Sequence, residues 1–254
     1  MNVLFSKEMN VSEINYGDIK PLGEKASIMY LNFKDQPIYI QTPLMKCPYG
    51  LSCFNEDPSS RPKYSLDLSF GSSESNSINE LKNLINEIDN KLLDDSVSNG
   101  MTWLGKKVKS RDIADALFTK SVKYAIDKET GEPIDKYPPT IKLRVPVYQD
   151  NFKVQCYNDN AERLNSNDLP SLIPKGQSVR AIIKLQGVWF AGGKFGVKWE
   201  VSQLRLNPQS SIQEYAFIDE DENSEDINES SDKQSVLGDN AQEQNYVISS
   251  DDDL

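Results

Sequence analysis

Val179-Arg-Ala-Ile-Ile-Lys-Leu-Gln-Gly-Val-Trp-Phe-Ala-Gly-Gly-Lys-Phe-Gly-Val-Lys-Trp-Glu-Val-Ser-Gln-Leu-Arg-Leu206 is the stretch that decides the fold. Val179, Ala181, Ile183 and Leu185 alternate with Arg180, Ile182, Lys184 and Gln186, the period of two expected of a strand with one buried face. Ala191-Gly192-Gly193 then reads as a hairpin tip, because two adjacent glycines supply the positive φ values of a tight turn. The return strand runs from Lys194 to Leu206, and a change of phase between Val201 and Leu204 predicts a β-bulge.

The same alternation extends upstream. Ile141, Leu143, Val145 and Val147 alternate with Lys142 and Arg144, and Phe152, Val154 and Cys156 follow a short Gln-Asp-Asn connection. Tyr64, Leu66, Leu68 and Phe70 alternate with Ser65, Asp67 and Ser69, and Ser27–Phe33 and Pro37–Thr42 read as two further strands joined by a tight hairpin at Asp35 and Gln36. Thr42-Pro-Leu-Met-Lys-Cys-Pro-Tyr-Gly reads as a proline-punctuated connection packed over a sheet edge. Ile78, Leu81, Leu84, Ile85, Ile88 and Leu92 recur at three and four, which predicts an amphipathic helix with Ser77 as N-cap and Glu80 completing a capping box. Asn99-Gly100 is expected to end it, and Ile113, Ala116 and Leu117 suggest one more helical span before the Thr130-Gly-Glu-Pro turn. The fold class expected is therefore mainly β with one or two helices, an OB-like barrel or a strongly coiled antiparallel sheet.

Charge divides the chain. Glu214 to Leu254 holds fourteen Asp and Glu against one Lys, so it carries −13 of a whole-chain −11 and leaves +2 on residues 1–213. That acidic stretch has few aromatics and isolated apolar residues, and disorder is expected because little apolar burial is available to offset roughly 1–2 kcal/mol of ordering entropy per residue. The expected organisation is an N-terminal arm at 1–25, a β-rich body at 26–213 with 26–98 and 101–213 as an alternative division into two subdomains, and an acidic tail at 214–254.

The chain has no histidine, which removes Ser-His-Asp triads and His-based zinc hydrolases. Carboxylate chemistry through Asp67, Asp112 and Asp115 is disfavoured, since these read as surface acids, and neither a P-loop nor a G-x-G-x-x-G pattern occurs. The three cysteines, Cys47, Cys53 and Cys156, have no metal-ligand spacing and point to a reducing compartment. No run approaches 18 apolar residues and the N-terminus lacks a signal-peptide apolar core, so neither a membrane nor secretion is expected, and no catalysis, cofactor or metal is implied.

Bases and aromatics interleave on strand faces that should point outward. Lys142 and Arg144 share one face, Arg180 and Lys184 another, and Lys194 and Lys198 line the strand after the hairpin, with Tyr148, Phe152, Trp189, Phe190 and Phe195 among them. Tyr157 and Trp199 belong to the same aromatic set, and Trp199 falls with Val197 and Val201 on the core side. Trp189 and Phe190 are consecutive, so one of them should face outward. Lys106, Lys107, Lys109 and Arg111 form an additional basic patch. A groove in which Lys and Arg track phosphates while rings accept stacked bases is the physical requirement for single-strand binding.

Ile40-Gln-Thr-Pro, Lys46-Cys-Pro-Tyr-Gly-Leu-Ser, Tyr64-Ser-Leu-Asp-Leu-Ser, Ile141-Lys-Leu-Arg-Val-Pro and Gly187-Val-Trp-Phe-Ala-Gly-Gly-Lys-Phe-Gly-Val-Lys-Trp-Glu occur in that order. This succession resembles the single-stranded DNA-binding protein family of nucleocytoplasmic large DNA viruses over roughly Ala26 to Leu206. The resemblance implies an OB-like, non-catalytic accessory of DNA replication, recombination or repair, working in the cytoplasm or nucleus of an infected host cell. It further implies an acidic tail that contacts replication proteins. Many such tails end in an aromatic residue, whereas this one ends Asp251-Asp-Asp-Leu. RNA as the bound strand and assembly into a homo-oligomer stay open, and the alternative function is a viral interaction or scaffold protein.

Overall fold

A computed structural model describes residues 2–55, 61–71, 75–127, 130–134 and 136–206. In chain order the strands are β1 (Val3–Leu4), β2 (Ile14–Pro21), β3 (Ala26–Phe33), β4 (Gln36–Lys46), β5 (Leu51–Phe54) and β6 (Lys63–Ser69). Helices α1 (Asn76–Leu104) and α2 (Arg111–Leu117) follow, then β7 (Phe118–Thr119), β8 (Val122–Lys123), β9 (Thr140–Val145), β10 (Val147–Tyr148), β11 (Asn151–Phe152), β12 (Gln155–Tyr157) and β13 (Arg163–Leu164). A one-turn α3 (Leu169–Leu172) leads into the long hairpin of β14 (Ser178–Ala191) and β15 (Lys194–Leu206).

Five of these strands close a ring. β14 pairs antiparallel with β4 and β15, β6 pairs antiparallel with β4 and β9, and β9 meets β15 in parallel at Arg144 and Glu200. Numbered by position in the chain, the ring runs 1-2-3-5-4, an OB-like barrel connectivity. The sheet is mixed rather than purely antiparallel, since β1–β4, β12–β15 and β7–β15 are also parallel.

The hairpin expected from Val179 to Leu206 is present, with Gly192 at φ 56° and Gly193 at φ 80° in its two-residue turn. The bulge is also where the phase change put it: Ile182 pairs with Gln203 and Ile183 with Val201. β15 follows β14 along nearly its whole fourteen residues, whereas the opposite edge of β14 is shared by two strands. Its first half pairs with β4 and its second half with β3, and a second register shift between Leu185 and Gly187 marks the change of partner. β3 and β4 share only two pairs beyond their turn before diverging. This strand order bends a barrel into a wing made of β2, β3, the distal β14–β15 hairpin and β7.

One hydrophobic core cluster draws on both regions, from Met9, Val11 and Ile14 through Leu66, Ile85 and Leu143 to Leu206. α1 supplies Leu81, Leu84, Ile85, Ile88, Leu92 and Leu93 to it. Near its C-terminal end Trp103 meets Phe190 at 6.2 Å and Tyr16 edge-on at 5.1 Å, so the helix seals the inner side of the wing.

Four sequence expectations are corrected. α1 continues through Asn99-Gly100 to Leu104 and ends at Gly105, whose φ is 65°. Gly100 permits close approach instead of breaking the helix, since a Cβ there would lie 2.7 Å from Val108 Cγ2 and 2.9 Å from Lys106 O. The N-cap is Ser75 rather than Ser77. The first hairpin turns on Lys34 and Asp35, both with positive φ, one residue earlier than expected. Thr42 to Lys46 continues β4 through its prolines instead of crossing an edge. Pro43 has no N–H, and the register against β14 skips there; Ala181 N–H donates instead to Thr42 Oγ1 at 3.0 Å. The acidic stretch from residue 214 lies outside the described residues.

Candidate nucleic-acid interface

Residues opposite one another on paired strands project to the same face. Leu185 with Trp199, Ile183 with Val201 and Phe190 with Phe195 point inward, so Lys184 with Glu200, Arg180 with Arg205, Gly187 with Lys198 and Trp189 with Gly196 point outward. Neighbouring strands extend these rows. Tyr39 is in register with Lys184, Leu44 with Arg180, Tyr30 with Gly187 and Ile28 with Trp189. On the other flank Arg144 lies beside Glu200, and Lys142 pairs with Asp67 on β6.

The outer surface therefore carries Tyr30, Tyr39 and Trp189 interleaved with Lys20, Arg144, Arg180, Lys184 and Lys198. Lys20 Nζ sits 5.7 Å from the Tyr30 ring centroid and Lys184 Nζ 5.7 Å from that of Tyr39, so two cations already lie against aromatic rings. The Trp189 indole lies over Gly196, where a Cβ would come within 2.8 Å of it. Glycine at 196 is what lets the indole lie along the strand.

Electrostatics on this surface follow from partial burial beside other charges. Burial lowers the Lys198 ammonium to about 8; Arg144 pushes it the same way, while Glu200 opposes. Burial pushes the Asp67 carboxyl up to about 6, with Lys142 and Lys123 pulling it back. Inside, Asp89 is also raised to about 6 by burial, although Ser121 donates to it from both N–H and Oγ at 2.7 Å. Trp199 Nε1 donates to Ser121 Oγ at 3.0 Å, which ties that tryptophan to the core side that its alternation predicted.

Among the residues singled out in the sequence, Lys142, Arg144, Arg180, Lys184, Trp189, Lys194 and Lys198 share the outer surface. Phe190 and Phe195 do not. Phe195 is fully buried and Phe190 is 6% exposed, and both point toward the helix side, so their place as contact residues is corrected to core. Of the consecutive pair, Trp189 faces outward. Tyr148 is 58% exposed on the β10–β11 hairpin with Lys153 Nζ 5.5 Å from its ring, whereas Phe152 packs edge-on against Tyr64 at 4.9 Å. In the additional patch, Lys107 and Lys109 are exposed and Lys106 Nζ reaches within 3.5 Å of where a Gly193 Cβ would sit. Arg111 instead pairs with Asp94 and Asn90 of α1. Asp112 and Asp115 are exposed on α2, with Asp115 ion-paired to Lys120 at 3.2 Å.

Lys20, Tyr30 and Tyr39 were not singled out from the sequence. Their signal was present: Tyr39 alternates with Ile38 and Ile40, and Tyr30 with Met29 and Leu31. Alternation assigns a face to each strand but not a neighbour, and only pairing to β14 brings these rings beside Lys184 and Trp189.

Residues 68–219 match a family described as a family of unknown function (DUF5871), and the chain belongs to that family. A curated relative, uncharacterized protein L291 of Acanthamoeba polyphaga mimivirus, is 30% identical over 204 residues. The match covers 76% of this chain and 31% of the relative, so the chain spans about a third of that protein's length. Among solved structures, the chain is similar to the single-stranded DNA-binding protein from bacteriophage Enc34 in complex with ssDNA, at 15% identity and a TM-score of 0.46, over 76% of this chain and 96% of that one. It is also similar to gp2.5, a single-stranded DNA-binding protein encoded by bacteriophage T7, at 10% identity and a TM-score of 0.35, over 70% and 90% of the two chains. No helix among the described residues is long and apolar enough to cross a membrane.

Proposed function

We propose that this protein is a non-catalytic single-stranded DNA-binding protein of a large DNA virus, coating and protecting exposed strands during replication, recombination or repair in the host cytoplasm or nucleus. The observation that carries this reading is the outer face on which Tyr30, Tyr39 and Trp189 alternate with Lys20, Arg144, Lys184 and Lys198. Rings at strand spacing accept successive bases, each stack contributing roughly 1–3 kcal/mol, and the cations between them neutralise phosphates. Each neutralised phosphate adds about −0.7 to the slope of log affinity against log salt for a single strand. The body at 26–213 supplies this surface together with Lys20 of β2. The acidic tail competes with the strand for the same cations and recruits replication proteins, and neighbouring protomers line up along the strand without a catalytic step.

Titration of labelled oligo-dT with the full-length chain and with a chain ending at Tyr215, across a salt series, tests the reading. Saturable binding that weakens with salt is expected, with an oligo-U series reporting the preference for DNA. Absence of binding at about 50 mM salt by both proteins, a regime where phosphate contacts are strong, overturns it.

A further inference from the structure

The connection between α1 and α2, Gly105-Lys-Lys-Val-Lys-Ser110, exposes Lys106, Lys107 and Lys109. Among the described residues no acid pairs with any of the three, whereas Arg111 is held by Asp94, Lys120 by Asp115 and Lys91 by Asp95. Asp112, exposed in the first turn of α2, is the acid nearest to them in sequence. The loop is fixed at both ends. Gly105 turns the chain at φ 65°, and the Ser110 hydroxyl accepts from Ile113 N–H at 3.4 Å where α2 begins. Between them Val108 is buried against Gly100, where a Cβ would lie 2.7 Å from its Cγ2. With that valine turned inward, Lys107 and Lys109 face solvent on either side of it and the loop exposes no apolar side chain.

Lys106 reaches the tip of the long hairpin. Its Nζ lies 3.5 Å from where a Gly193 Cβ would sit, and a Cβ on Gly192 would meet nothing within 4 Å. The tip is thus bare of side chains and has an ammonium group beside it. The outer rings lead the same way. Tyr39 is in register with Lys184, Tyr30 with Gly187, and Trp189 stands two residues before Ala191, where the turn begins. A strand stacked along these rings towards the tip finds no further ring on the outer face of the hairpin. The glycine turn and then the lysine loop come next in its path. Ammonium groups with no ring or apolar anchor among them neutralise phosphates whatever the base, whereas a protein partner is gripped mainly through aromatic and Arg anchors in packed pockets.

We infer that the loop Gly105–Ser110 is a second segment of the single-strand site, one that contacts only the backbone. The strand leaves the aromatic row at Trp189, crosses the glycine tip and places its phosphates on Lys106, Lys107 and Lys109. The inference rests on the proposed strand-binding function and deepens it, because it gives the strand a direction along the hairpin and enlarges the site. The close approaches at Gly100 and Gly193 then serve one purpose: the first seats Val108, and the second leaves room for Lys106.

The test is a set of salt titrations, from about 100 to 300 mM, where the Debye length is about 10 Å or less. Labelled oligo-dT of increasing length is bound by the full chain and by three variants of it. One carries Lys106→Gln, Lys107→Gln and Lys109→Gln together, one carries arginine at the same three positions, and one is Trp189→Ala. For oligomers long enough to pass the tip, the glutamine variant is expected to lose about 2 from the slope of log affinity against log salt, about 0.7 for each of three phosphates. The arginine variant should restore that slope. For the shortest oligomers that still bind, the glutamine variant should keep the wild-type slope, while Trp189→Ala weakens binding at every length. A wild-type slope for long oligomers in the glutamine variant, with Trp189→Ala impaired, overturns the loop assignment and leaves the functional reading standing. An equal change of slope at every length also overturns it, since that marks a general field or engagement of the acidic tail. No binding by the wild-type chain at any length rejects the functional reading and the inference with it.

Discussion

Trp189 and Phe195 are six residues apart in one hairpin, yet they have opposite jobs. Trp189 lies along the outside over Gly196, whereas Phe195 is fully buried beside Phe118 at 5.0 Å. Trp189→Ala should therefore leave the melting temperature nearly unchanged and weaken oligo-dT binding by about 1–3 kcal/mol. Phe195→Ala should do the reverse, lowering stability by about 3–5 kcal/mol in denaturant titrations. Lys198 adds a pH signature. Its ammonium is depressed to about 8, and a phosphate beside it restores the charge, so binding takes up a proton once the pH passes about 8. Affinity should fall as pH rises from about 7 to 9, and Lys198→Arg, charged throughout this range, should flatten that fall in fluorescence titrations. For the free protein the sign is opposite: a lysine lowered from 10.5 contributes stability that appears as pH rises above about 8 and is lost as pH falls through it.

At the scale of elements, the long hairpin and α1 carry different kinds of information. β14 and β15 were legible from their alternation, with the tip and the bulge near Val201, because a slip would turn Val179, Ala181 and Ile183 to solvent; the second register shift, between Leu185 and Gly187 where β14 changes partner, was not. The end of α1 was not legible, since a glycine within a helical pattern signals a break unless something must pack against it. Val108 does pack against it, as the chain folds back after Gly105. Gly100→Ala removes a weak helix former but forces a Cβ to 2.7 Å from that valine; the clash should outweigh the gain and cost about 1–3 kcal/mol of stability. Thermal or urea unfolding of the variant checks this, and a rise in stability would show that Val108 moves aside. Pro43 in β4 misled the reading for a similar reason: proline is compatible with a strand where a bulge removes the need for its N–H, and Thr42 Oγ1 takes over the orphaned Ala181 donor.

For the molecule as a whole, charge is distributed so that the pI of about 4.7 conceals a body of +2. Deleting the residues after Tyr215 should tighten oligo-dT binding at low salt, and the gap between the two proteins should close as salt rises and screens the tail. A salt-independent gap in paired titrations would point instead to a role of the tail in folding. The amino-acid sequence by itself determined the mainly β class, the hairpin, the strand faces and the separation of charge, because period-two alternation and composition are local properties of the chain. Only the tertiary structure decided which strands adjoin, and hence the barrel ring, the passage of α1 across the wing, the burial of Phe190 and Phe195, and the meeting of Tyr30, Tyr39 and Trp189 with Lys184 and Lys198. The physical reason is that neighbours in a sheet are selected by long-range packing against a shared core, and a residue's own strand records its face but not what lies beside it.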